Sequence, residues 1–185
     1  PTLFRSTGSS SRVVNIGAEN YTVGVLVQAN FGYREDLVVA GVPVGKRITD
    51  FQPVFNKPKQ DGSIIVIVAT DAPILPIHLK QVAKRATNGI ARTGAFGGNG
   101  SGDIFLAFST AQPTFSSDWT KVNLSVLAKW SLDPIYKATV EATEEANINA
   151  LVAAKTMKGA NGNIMYECPE DRLMQLMKEF HGTRE

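Results

Sequence analysis

One cysteine, Cys168, two histidines, His78 and His181, and almost no surplus charge set the first limits on this sequence. A single cysteine excludes an internal disulfide and any cysteine-based metal cluster. Both histidines fall in helix-like contexts away from the glycine-rich words and read as surface residues, so a Ser-His-Asp triad has no local support. A formal charge of +2 with scattered Lys and Arg supplies no stripe for nucleic acid or an anionic membrane, and no polyanion partner is expected. No apolar run approaches the length of a membrane helix, so the chain reads as soluble. An initiator methionine and a signal peptide are also missing from the opening Pro1-Thr-Leu-Phe-Arg-Ser-Thr-Gly8. The expectation is a cytoplasmic protein and a chain that starts inside a longer one. Without secretory evidence, the triplets Asn20-Tyr21-Thr22 and Asn123-Leu124-Ser125 read as coincidental glycosylation motifs.

What is present is 185 residues with 43% hydrophobic and 19% charged content, enough for one domain with a sizeable core. The organising stretch runs from Asp61 to Pro73. A polar approach, Asn56 to Asp61, ends at Gly62-Ser63, and five β-branched apolar residues, Ile64 to Val68, follow. That run reads as a strand buried on both faces. Ser63 then stands where a loop meets a rigid element, and its hydroxyl is a candidate nucleophile. Asp-Gly-Ser is also ordinary turn chemistry, and spacing alone leaves both readings open.

Before this stretch, residues 6–12 form a small-residue segment read as a loop, either a connector or a presenter of backbone N–H groups. Residues 22–29 read as a strand in which Gly24 marks close approach of another backbone. It ends at Asn30, beside Gly32; an amide there can turn the chain or aim its N–H₂ at a developing oxyanion. Leu37 to Val44 reads as a second strand, and the polar stretch 46–62 as a long functional loop, one made to be cut.

After Ser63 and its strand, Leu79, Val82, Ala83, Ala86 and Ile90 have helical spacing, in a helix ending near Gly94. The glycine-dense segment 94–103 leads straight into a strand, Ile104 to Ser109. It lacks a preceding strand, a following helix and a Gly-Lys-Ser/Thr word, so it matches no dinucleotide or phosphate-loop fingerprint. With no metal-ligand cluster either, no cofactor and no metal is expected. Ser101 and Asp103, two residues apart in an extended chain, project to one side. They can hold a hydroxyl, receive an ammonium, or close a hydrogen-bonded turn.

Val122 to Leu127 reads as a further strand. A long helix follows, with Asp133 as cap and Pro134 at its first position, running to about Met157 where Gly159 stops it. Its inward stripe is small: Ala138, Ala142, Ala146 and Ala150. Asn161-Gly162 reads as a turn. The last helix, Asp171 to about Phe180, buries Leu173, Leu176, Met177 and Phe180. Strands alternating with helices predict a layered α/β fold.

Five words occur in order: Thr22 to Gly32, Gly41 to Gly45, Gly62 to Pro73, Gly100 to Ala111 and Asn149 to Met157. Through them the chain resembles the L-aminopeptidase/D-esterase family, which includes the β-peptidyl aminopeptidases, over nearly its whole length. The resemblance implies an αββα four-layer sandwich, incomplete here at its N-terminal side. Residues 1–62 would be the C-terminal part of an α segment, with strands and the processing loop. Residues 63–185 would be a β segment opening with the nucleophile, the two forming one domain. It implies self-cleavage at Gly62–Ser63, after which the α-amine of Ser63 can serve as general base, its ordinary pKa of about 7.7–8.0 lying near neutrality.

Asn30 would be an oxyanion donor, and Ser101 and Asp103 would belong to the catalytic centre. Some members carry glutamate at the position of Asp103. The implied substrates are short peptides, amides or esters that lose their amino-terminal residue through an acyl-enzyme. The implied partners are the remainder of the α segment and, as a homo-oligomer, further processed protomers in a tetramer. Two rival readings are acyl transfer of the ornithine acetyltransferase type, which uses threonine, and an uncleaved scaffold piece.

Overall fold

The computed structural model describes residues 2–55 and 62–182, so the polar approach to Ser63, Asn56 to Asp61, lies outside the described residues. Alternation dominates the first half. Val23, Val25, Val27, Ala29 and Phe31 all turn inward along β2 (Glu19–Tyr33). β1 (Thr2–Ile16) pairs antiparallel with it along almost its full length, through a two-residue turn with Gly17 at φ +64°. β3 (Ser63–Thr70) adds antiparallel to β2, and β4 (Ile104–Ser109) adds parallel to β3, giving one sheet in the order β1-β2-β3-β4.

Parallel pairing requires a crossover. It is supplied by α2 (Pro76–Ala91), which buries Val82, Ala83, Ala86 and Ile90. Two consequences matter for the site. The antiparallel turn brings the C-terminal end of β2 to the N-terminal end of β3, and the crossover returns the chain to that same end before β4. Asn30, Ser63 and the glycine-rich segment therefore converge on one edge of the sheet.

α3 (Asp133–Ala153) packs on β1 and β2, while α2 packs on β3, β4 and α3. The alanine stripe at 138, 142, 146 and 150 is buried, as its small size demands. At Gly8 on β1, an added Cβ would stand 2.1 Å from the Ala146 carbonyl oxygen and 2.5 Å from the Ala150 nitrogen. Helix backbone and strand backbone are thus in near contact. Gly8→Ala should cost about 1–3 kcal/mol through overpacking, read as a lower denaturant midpoint with unchanged slope. Arg12 pairs with Glu145 and Glu141 across the same contact.

Several elements differ from the sequence reading. Residues 6–12 are strand, not loop, because the alanine stripe of α3 accepts only small partners and β2 supplies the ladder. Leu37 to Val44 is not a strand: Ala40 (φ +46°) and Gly41 (φ +82°) make a tight turn inside the single bridge Val39–Val42, and the short helix α1 (Val44–Arg47) follows. Leu37, Val39, Val42, Val44 and Ile48 nevertheless reach the core, which explains their pattern. Gly24 has no close neighbour, since a Cβ there would meet nothing nearer than 4.0 Å.

Of Val122 to Leu127, only Val122–Asn123 (β6) is strand, pairing with Thr114–Phe115 (β5). α3 begins with Asp133 as its first residue, Leu132 standing at the cap, and stops at Ala153. Met157–Lys158 (β7) then pairs with Ile164–Met165 (β8) about Asn161 (φ +59°) and Gly162 (φ +73°). The chain closes with α4 (Glu170–His181), which buries Leu173 and half-buries Leu176, Met177 and Phe180.

The helices cover one face of the sheet only. β3 is not buried on both sides: Ile64, Val66 and Val68 face the helices, while Ile65 is exposed. On that second face Leu26, Ile104, Leu106 and Phe108 are exposed with it, Ile104 at 58% and Leu106 at 53%. A strand run apolar on both faces belongs in a sheet covered on both. Among the described residues only one cover is present.

Candidate active site

Ser63 opens β3 directly opposite Asn30 of β2, the last pair of their ladder. Residues facing each other in an antiparallel pair project to the same face with Cβ atoms about 4.5–5.5 Å apart. Both side chains stand on the face away from the helices, since Ala29, Phe31 and Ile64 beside them point into the core. The hydroxyl of Ser63 accepts a hydrogen bond from the Gly102 backbone N–H at 3.1 Å. Asp103 closes the arrangement from β4's side, its Oδ1 accepting from the Ile64 N–H at 3.2 Å and from the Ser101 hydroxyl at 2.5 Å. Ser101 and Asp103 do project together, and here they bond each other.

Asn30 supplies an observation of another kind. Its Oδ1 is buried and has no hydrogen-bond partner among the described residues. A buried polar atom left unpaired costs about 1–3 kcal/mol. The unpaired atom sits on β2 opposite the candidate nucleophile Ser63.

Gly62 is fixed by space. A Cβ there would lie 2.6 Å from both the Asn30 carbonyl oxygen and the Phe31 Cα. The residue that precedes Ser63 is thus packed against the end of β2 with no room for a side chain. Glycine is the one residue that fits at this position.

The four residues Asn30, Ser63, Ser101 and Asp103 are all brought to this edge. The Gly102 N–H was missed by sequence reasoning, because a backbone donor has no residue type; its only trace is the glycine that lets the loop approach, with Gly102's own Cβ position 3.2 Å from the Ser63 oxygen. His78 lies in the first turn of α2, past the far end of β3, about 23 Å of strand away from Ser63. It is half-buried instead of surface-exposed, with its Nδ1 buried and without a partner among the described residues. His181 is exposed on α4. Burial pushes the Cys168 thiol upward, the nearby Arg34 opposing, which leaves it a poor nucleophile. Among the described residues no group of three or more His, Cys, Asp or Glu is placed to hold a metal, and no helix is long and apolar enough to cross a membrane.

A serine at the head of an internal strand, with an amide opposite it and a carboxylate and N–H donor beside it, makes a candidate serine-nucleophile site on a mixed α/β fold. The model of peptidase family S58 matches residues 5–165, and the chain belongs to that family. It is 44% identical over 187 aligned residues to the β-peptidyl aminopeptidase BapA of Sphingosinicella microcystinivorans, and 41% identical over 183 to that of Sphingosinicella xenopeptidilytica. These alignments cover 94% and 92% of this chain but 47% and 46% of the relatives, so the chain spans about half their length.

Among solved structures, the PH0078 protein of Pyrococcus horikoshii superposes with a TM-score of 0.85 at 44% identity, over 96% of this chain and 48% of that one. The L-aminopeptidase D-Ala-esterase/amidase of Ochrobactrum anthropi, described as a prototype serine aminopeptidase and a new variant of the Ntn hydrolase fold, gives 0.85 at 39% identity, over 96% and 49%. A β-aminopeptidase of a Burkholderia species gives 0.79 at 37%.

Proposed function

We propose that this chain forms part of a self-processing serine aminopeptidase, cut between Gly62 and Ser63. The observation that carries the reading is Gly62, packed so tightly against the end of β2 that no side chain fits, leading directly into Ser63 with Asn30 paired opposite. Residues up to 62 end the α segment, and Ser63 begins the β segment. The apolar outer face of the sheet is what one half of a four-layer αββα sandwich presents to a second sheet.

In processing, the Ser63 oxygen attacks the Gly62 carbonyl carbon. Negative charge collects on the carbonyl oxygen, where the Asn30 N–H₂ can stabilise it. The C–N bond breaks, the proton from the hydroxyl passes to the leaving nitrogen, and an ester joins Gly62 to the Ser63 side chain. Water hydrolyses that ester, leaving a carboxylate on Gly62 and a free amine on Ser63. In turnover the same oxygen attacks the carbonyl of a substrate's first residue, the new amine taking its proton and passing it to the leaving group. Water then releases the acyl residue.

Asp103 is assigned to the substrate's ammonium. A carboxylate receives it by a charge-assisted hydrogen bond, with Ser101 and the Ile64 N–H fixing its direction. Asp103→Asn should leave the protein folded and cut. It should raise KM roughly 10-fold or more for esters with a free amine, since charge-assisted bonds contribute about 1.5–3 kcal/mol, and change KM little for N-acylated esters. Equal losses on both ester types would instead place Asp103 in the cleavage chemistry.

A further inference from the structure

Beside Gly62 opens a cleft of about 390 Å³ whose lining includes Phe31, Tyr33, Gly62, Phe96, Ser101 and Asp103. That size suits a single amino-acid residue better than a long peptide. The lining combines polar Ser101 and Asp103 with aromatic side chains, of which Tyr33 and Phe96 stack with ring centroids 5.8 Å apart and planes 16° from parallel.

Phe96 is 67% exposed, which is unusual for so large an apolar side chain held in a defined stack. Its segment is shaped to hold it there: Gly94 (φ +103°) and Gly97 (φ +68°) both adopt backbone that other residues rarely take. Gly94 is also locked by contact, since a Cβ there would lie 2.0 Å from the Asp36 carbonyl oxygen. The loop thus presents Phe96 to the cleft from a fixed base.

Which part of a substrate enters follows from the chemistry at Gly62. In self-cleavage the Gly62 carbonyl is attacked by Ser63; in turnover the substrate's first residue takes that place. Gly62 therefore occupies the acyl position, and the cleft that it lines is the acyl side. A side chain leaving the backbone at Gly62 would head for Phe31, whose Cβ lies 3.2 Å from the built position. Glycine avoids that collision in the tethered chain. A free substrate can stand further back and lay its side chain along the same wall.

We propose that Tyr33 and Phe96 form the specificity wall for the amino-terminal side chain of the substrate, selecting aromatic and large apolar residues while Asp103 holds the ammonium. The proposal rests on the processing reading above and adds the substrate class to it. An aromatic pair is worth a modest, geometry-dependent gain in addition to area burial, so the effect is one of preference and not of chemistry.

The test uses the processed full-length enzyme and two substrates with one leaving group, the p-nitroanilides of phenylalanine and alanine. The wild type should prefer phenylalanine. Phe96→Ala should reduce the phenylalanine-to-alanine ratio of kcat/KM by about 10-fold, through KM, with kcat on alanine and cleavage at Gly62–Ser63 unchanged. Phe96→Leu, which keeps apolar bulk, should recover part of the ratio. A wild-type preference for alanine, an equal loss on both substrates, or a loss that follows the leaving group when dipeptides Ala-Phe and Phe-Ala are compared would overturn the wall. A wild-type protein that stays uncut contradicts the processing reading itself, which separates the two failures.

Discussion

Ser63→Ala should give one uncut chain with no measurable peptidase activity. The argument is chemical: alanine removes the oxygen that attacks Gly62 and, with it, the acyl carrier of turnover. Loss of the nucleophile in a serine enzyme costs on the order of 10⁶ in turnover. Here the loss is compounded, since without the cut the general-base amine does not form. The fold should persist, because Ser63 is half-buried and its hydroxyl, among the described residues, accepts from the Gly102 N–H at the open edge of the site. A single band on a denaturing gel, an unchanged circular dichroism spectrum and background hydrolysis together are the expected result. A cut or active Ser63→Ala protein would remove Ser63 from the chemistry.

Asn30→Ala is the second large effect, and its two readouts should move apart. Turnover should fall by roughly 10²–10³, the usual loss for one oxyanion donor, and self-cleavage should slow with it, because the same charge develops on the Gly62 carbonyl. Stability should hold or rise slightly, since the variant deletes a buried oxygen that has no partner among the described residues. Asn30→Asp sharpens the point: the carboxylate has nearly the same shape but no N–H, and its charge would repel the oxyanion. It should be at least as impaired as alanine. Near-native turnover in either variant would make Asn30 a strand-end residue only.

The parts of the sequence that announced themselves did so through periodicity. The inward alternation along β2 and the 3.6-residue stripe of α2 each reflect one dominant environment, so they were legible without tertiary knowledge; the β-branched run of β3 showed a strand but not that one of its faces is uncovered among the described residues. Residues 6–12 were not, because their strand state is imposed by α3 across more than 130 residues of sequence, with Gly8 under Ala146. Leu37 to Val44 misled for the opposite reason: its apolar side chains are buried, but two positive-φ residues fold them inward as a turn.

The candidate site divides the same way. Ser63, Asn30, Ser101 and Asp103 stood out as polar groups at glycine-marked strand ends. Their convergence depends on the antiparallel β2–β3 ladder and the parallel return to β4, and sequence spacing does not encode that. The Gly102 N–H and the Tyr33–Phe96 stack needed coordinates. A lone exposed phenylalanine between glycines looks like loop until its partner is placed beside it.

The central claim is that Gly62–Ser63 is a bond this protein breaks for itself. The most direct measurement is the intact mass of the purified full-length wild-type protein under denaturing conditions, combined with amino-terminal sequencing of each species. The account predicts two chains whose masses sum to the uncut polypeptide plus one water, the second beginning at Ser63. A single mass in a catalytically active preparation, with Ser63 internal, would contradict it.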